Sequence, residues 1–159
     1  MTIAVGDKIP EVTLHHMTDD GPAKISTSEI FDGKKVLLFA LPGAYTPTCS
    51  NSHLPSYVVN ADEIKAKGVD TIACLSVNDA FVMGAWGEAS NADNILMLAD
   101  GSAKFTSAVG IELDLTDMGL GLRSDRYAMI VEDGVVTALN RENPGKLEVS
   151  DADTMMELL

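Results

Sequence analysis

Three short unbroken apolar runs mark the chain: Val36-Leu37-Leu38-Phe39-Ala40, Ile95-Leu96-Met97-Leu98-Ala99 and Tyr127–Val131. Runs this short, closed by glycine, charged or turn residues, predict strands covered on both faces. Val69–Val77 predicts another. Between them the pattern changes to helical spacing. Leu54, Val58, Val59, Ala61 and Ile64 fit one face of a helix from Thr46–Pro47 to Lys67, bent near Pro55 and ended by Gly68. Asn78-Asp79 opens a second helix over 80–88, and a short one covers 103–109. Glu132-Asp133-Gly134, between Tyr127–Val131 and 135–139, is a hairpin signal. Ser150-Asp151-Ala152-Asp153 caps a final helix ending near Leu159.

The remaining segments are less regular. Residues 1–34 predict an irregular start with short extended pieces, a turn at Asp19-Asp20-Gly21-Pro22 and one helical turn at Ser28–Phe31. Residues 110–124, punctuated by glycine, predict a loop with partial helix. The order strand, helix, strand, helix, strand, helix, hairpin, helix gives an α/β fold. A βαβ start with an added antiparallel hairpin makes a mixed central sheet covered by helices. With no repeat or linker, one domain over 1–159 is expected.

Composition narrows the function classes. The 159 residues carry 24 acidic and 11 basic side chains, a formal net charge of -13 that repels nucleic acid and anionic membranes. No apolar run reaches membrane-span length, and no secretory or transit signal is read at the N-terminus. A cytoplasmic setting is expected. Two cysteines, Cys49 and Cys74, are too few for a disulfide scaffold or a four-thiolate zinc site. His15 and His16 point different ways on a strand and lack partners for a metal site. The eight methionines show no heptad and read as core filling. No cofactor or metal is expected.

The informative arrangement is a strand, a proline-containing turn, and Cys49 in the first turn of the next helix. With Thr46 as cap and Pro47 at the first position, Cys49 becomes the third helical residue. Its sulfur then lies near free backbone N–H groups and the positive end of the helix dipole, which favours thiolate. A buried structural cysteine would not need Thr46-Pro47-Thr48 before it and Ser50-Asn51-Ser52-His53 after it. Threonine stands where a Cys-x-x-Cys pair would have its first cysteine, so dithiol exchange is disfavoured. Attack by a lone thiolate on a peroxide remains open.

Leu41–Ser50 followed by His53-Leu54-Pro55 closely resembles the active-site motif of peroxiredoxins, more narrowly the type II, peroxiredoxin-5-like branch. Ala73–Val82, Trp86-Gly87 and Arg126–Val135 extend the likeness to essentially the whole chain. The resemblance implies a thioredoxin-like fold with an N-terminal extension and reduction of hydrogen peroxide and alkyl hydroperoxides. It implies Cys49 as the peroxidatic nucleophile, with Pro42, Thr46 and Arg126 as its catalytic companions. His53 and Arg123 are auxiliary candidates. His53 as imidazolium would favour the thiolate, although a histidine without proton-transfer duty is the other reading. Arg123 would pair with an acid or assist Arg126, or lie on the surface.

The animal members of that branch carry a resolving cysteine near the chain's end, where this chain has Leu147-Glu148-Val149-Ser150. The sulfenic acid would then need an external thiol. Glutathione or a glutaredoxin is the expectation, with thioredoxin possible. Cys74 reads as buried filler. The branch also implies a homodimer built from loops around the site, for which exposed Tyr45, Phe81 or Trp86 would be the physical support. Two other functions compete: a peroxide sensor that passes oxidation to a partner protein, and a noncatalytic thioredoxin-like interaction module.

Overall fold

A computed structural model describes residues 1–159. Strands β3 (Lys35–Ala40), β4 (Thr71–Ser76) and β5 (Ile95–Ala99) run parallel, as the buried apolar runs require. Strand β8 (Tyr127–Glu132) lies antiparallel to β3, and β9 (Val135–Arg141) completes the hairpin through Asp133-Gly134. Asp133 and Gly134 both have positive φ, 48° and 78°. Together these strands form a mixed α/β sheet.

The N-terminal stretch is more regular than its sequence suggests. Strands β1 (Thr13–Thr18) and β2 (Gly21–Ser26) form an antiparallel hairpin that joins the sheet beside β5. The resulting order is β2-β1-β5-β4-β3-β8-β9. Pro22 is tolerated because β2 is an edge strand. Helix α1 (Thr27–Phe31) follows, and Ser26 and Glu29 close a reciprocal capping box at its start.

Residues 110–124 also differ from expectation. They form a two-stranded sheet, β6 (Glu112–Leu115) with β7 (Gly121–Ser124), joined through a 3-10 turn at Thr116–Met118. Gly119 and Gly121, at φ 76° and 69°, let the chain reverse there. The glycines make the turn of a hairpin rather than an unstructured loop.

Strand β3 divides the core. Leu37, Phe39 and Leu41 face a layer that includes Tyr57, Ile64, Met83 and Trp86. Val36, Leu38 and Ala40 face another containing Phe31, Phe105, Tyr127 and Met129. The first layer is covered by α2 (Leu54–Ala66), α3 (Ala80–Ala89) and α5 (Ala152–Met156); the second by α1 and α4 (Lys104–Val109). No helix is long and apolar enough to cross a membrane.

The long helix departs from regularity where the chemistry was expected. Pro47 and Thr48 begin it, but Cys49–His53 form a π-turn that runs into α2. The Leu54 N–H donates to the Cys49 carbonyl, five residues back. Pro55 has no N–H to continue the ordinary four-residue ladder. The distortion therefore precedes the proline instead of sitting at it.

Candidate active site

The loop from β3 to the π-turn is held at three points. The Leu41 N–H donates to the Leu75 carbonyl, and the Ala44 N–H donates to Asn78 Oδ1 at 3.0 Å. The Pro42 carbonyl accepts from Arg123 Nη1 at 3.2 Å, while Arg123 Nε donates to the Leu120 carbonyl at 2.8 Å. Arg123 thus braces the Pro42 loop instead of pairing with an acid or with Arg126. A side chain at Gly43 would push the Arg123 guanidinium out of this brace. A Cβ there would lie 2.7 Å from Arg123 Nη1 and 3.2 Å from Thr46 Cγ2. Tyr45 takes the left-handed conformation, φ 65°, which is costly for a non-glycine residue.

Thr46 stands just before the helix, yet its hydroxyl does not cap the next turn. It donates to the Gly43 carbonyl at 2.7 Å. With its proton committed there, its oxygen keeps lone pairs free to accept. This corrects the expected side-chain cap. Cys49 remains the third residue from Pro47 and is completely buried.

Arg126 arrives from the residue preceding β8. Its Nη2 donates to Cys49 Sγ at 3.1 Å, and its Nη1 lies 2.7 Å from His53 Nδ1. A guanidinium only donates, so Nδ1 must accept and His53 carries its proton on Nε2. That proton is directed at the Ser150 carbonyl, 3.1 Å away. Burial, then the positive charge of Arg126, depress the His53 pKa from 6.5 to about 3, against the opposing effects of Ser150 and Glu142. His53 is therefore neutral near neutrality, and the imidazolium expectation is corrected. It orients the cation instead of adding a second one.

Arg126 is only 8% exposed and has no carboxylate within salt-bridge distance; the chain's single salt bridge joins Arg141 to Asp125. An uncompensated buried guanidinium is costly unless a negative group can face it. The Arg126 Nη2 faces the Cys49 sulfur. Trp86, fully buried, donates from Nε1 to Ser50 Oγ at 3.0 Å and steadies the turn that carries the thiol.

The second thiol stands apart from this polar set. Cys74 is buried in β4, and its sulfur makes no hydrogen bond. Burial, reinforced by the nearby Cys49 and only partly offset by the charge of Arg126, pushes its pKa well above the ordinary value.

Comparison with known proteins decides the family. The chain matches the Redoxin family over residues 4–156. It is 52% identical to rice (Oryza sativa subsp. japonica) "Peroxiredoxin-2E-2, chloroplastic" across 99% of this chain and 73% of that protein. The chain belongs to the peroxiredoxin family. A reduced Prx3 from Vibrio vulnificus, solved in complex with hydrogen peroxide, superposes with a TM-score of 0.96 at 58% identity, over 99% of both chains. Peroxiredoxin 5 from Alvinella pompejana gives 0.86 at 36% identity, over 98% of this chain and 96% of that one. The peroxiredoxin fold is thus a thioredoxin-like sheet and helix arrangement of the type II, peroxiredoxin-5-like branch. This peroxiredoxin is a thiol-dependent peroxidase, an oxidoreductase acting on hydroperoxides with thiol reductants.

The geometry joins Cys49, His53 and Arg126 in one hydrogen-bonded cluster, with Thr46 in the turn just before it, while Pro42 and Arg123 form the supporting loop. Gly43, Asn78 and Ser150 were not singled out from sequence. Gly43 follows the motif proline, which was a usable signal. Asn78 and Ser150 act across 34 and 97 residues, and nothing local announces them.

Proposed function

We propose that Cys49 is the peroxidatic nucleophile and that Arg126, which donates to its sulfur without a competing carboxylate, carries the assignment. The thiolate sulfur attacks the terminal peroxide oxygen, forming an S–O bond as the O–O bond breaks. The departing oxygen takes a proton and leaves as water or an alcohol, and Cys49 becomes sulfenic acid. Arg126 stabilises charge on the separating oxygens. The Thr46 hydroxyl, already donating to Gly43, would accept a hydrogen bond from the peroxide O–H and orient the substrate, the proton staying on the oxygen that is transferred to sulfur. Pro42 shapes the loop, and Arg123 and His53 hold it and the guanidinium in place.

An external thiol then attacks the sulfenic sulfur, releasing water and leaving a mixed disulfide, which a second thiol cleaves. Glutathione with glutaredoxin is the proposed reductant, and thioredoxin the alternative. The reading rests on the inventory of thiols: Cys74 lies inside β4 and Leu147–Ser150 contains none. Because Cys49 is fully covered, the π-turn must open for a thiol of that size to reach it. Exposed Tyr45 and Phe81, 56% and 65% accessible, support a homodimer around the site; Trp86 is buried and contributes no such surface. The acidic surface and the reducing chemistry suit a cytoplasmic setting.

Stopped-flow peroxide consumption by the reduced protein tests the assignment. C49S should abolish turnover, whereas unchanged turnover in C49S contradicts it. Separate additions of glutathione, glutathione with glutaredoxin, and thioredoxin identify the reductant by which of them sustains turnover.

A further inference from the structure

We infer that Glu142 is a positioning residue for the peroxidatic site, holding Arg126 both through its own backbone and through the chain from Ser150 to His53. The inference rests on the proposed roles of Cys49 and Arg126.

Glu142 follows directly on β9 and is buried. Its Oε2 accepts from the Val149 N–H at 2.8 Å, the Ser150 N–H at 2.7 Å and the Ser150 hydroxyl at 2.7 Å. The Glu148 N–H reaches both carboxylate oxygens, at 3.0 and 2.9 Å. Three consecutive amides in a segment without helix or strand thus converge on one side chain. Burial alone would raise the Glu142 pKa, but the hydrogen bonds from Ser150, Glu148 and Val149 outweigh it and hold the pKa below the usual carboxylate value. The group is an anion with an acceptor geometry that no neutral side chain reproduces.

The clasped segment presents one carbonyl to the site. Ser150 O accepts from His53 Nε2 at 3.1 Å and from the Tyr57 hydroxyl at 2.6 Å. His53 Nδ1 then accepts from Arg126 Nη1, and Arg126 Nη2 donates to Cys49. Meanwhile the Glu142 N–H donates to the Arg126 carbonyl at 2.9 Å. The arginine is held at both its main chain and its guanidinium from the same residue. The region where the resembling branch carries a resolving cysteine is here a strap that aims the arginine.

In E142Q one oxygen is replaced by an NH2 that faces amide donors, so the clasp must rearrange. The test measures kcat/KM for hydrogen peroxide in the wild type, C49S, E142Q, S150A and E63Q, together with the imidazole 15N spectrum of His53. The expected result is a fall of about tenfold in E142Q, of the size that small misplacements of a catalytic group produce. The His53 ring signals should shift with it. E63Q removes an exposed charge on α2, outside the clasp, and should match the wild type. If E142Q does not fold, S150A must show about a threefold fall and the same ring shift. Wild-type kcat/KM in folded E142Q overturns the inference, as does a fall without any change at His53. Wild-type rates in S150A overturn it when E142Q is unfolded. Turnover surviving in C49S instead overturns the proposed nucleophile, so the two failures are distinct.

Discussion

Cys49 and Cys74 lie in the same core layer, both fully buried and both free, yet their surroundings are opposite. Cys74 occupies the middle of a parallel strand between Ala73 and Leu75, and burial pushes its thiol pKa up. Cys49 begins a π-turn and accepts a hydrogen bond from a buried guanidinium. On the proposed assignment of Cys49 as nucleophile, burial does not separate a reactive cysteine from an inert one. A directed cation and a distorted backbone do. Charge-assisted bonds gain strength in a dry interior, where the same burial penalises an unpartnered thiolate.

The largest expected effect removes the distinction at its centre. C49S should lose all peroxide turnover, read as hydrogen peroxide consumption, while C74A should stay within about twofold of the wild type because its sulfur contacts no reacting group. Next comes the cation. R126Q should lower kcat/KM for peroxide by about 10²–10³, the usual consequence of deleting a charge-stabilising donor, with the fold intact by circular dichroism. T46V removes the acceptor and the Gly43 tie together. A fall of about 10–10² is expected, smaller because the guanidinium stays in place.

The first half of this contrast was readable in the sequence. Thr46, Pro47 and the polar run Ser50–His53 announced Cys49 as different from a cysteine set between Ala73 and Leu75. The double-faced burial of β3 and the Asp133-Gly134 turn were equally plain, because period and turn chemistry are local. The Arg126–His53–Ser150 chain was not plain, because its members meet only in three dimensions. His53 was open to the wrong charge for the same reason: its neutrality depends on burial and on Arg126. The β6–β7 hairpin escaped because its two four-residue strands lie among glycines and acids that read as loop. Pro22 was read as part of the turn, whereas it lies in β2, because its place on an edge strand is a property of the sheet.

The buried neutral histidine has a stability consequence with a defined sign. His53 has a folded pKa of about 3 against 6.5 in the unfolded chain, so the unfolded state binds the extra proton between those values. Its contribution is fully present above pH 6.5 and is lost as pH falls toward 3, amounting to a few kcal/mol at most. The Glu142 shift has the same sign just below its unfolded value, since its folded pKa is also lowered. Urea melts at pH 7 and pH 5 should show the wild type losing stability on acidification. H53Q should lose less over the same interval. An equal loss in both would remove His53 from the account.

The central claim is that the guanidinium, and not burial, selects which thiol reacts. The most direct measurement treats the reduced protein with one equivalent of hydrogen peroxide, traps sulfenic acid with dimedone, and locates the adduct by peptide mass in the wild type and in R126Q. The account predicts the adduct on Cys49 alone, and its rate of appearance falling by about 10²–10³ in R126Q. An adduct on Cys74, or an unchanged Cys49 rate without the arginine, would contradict it.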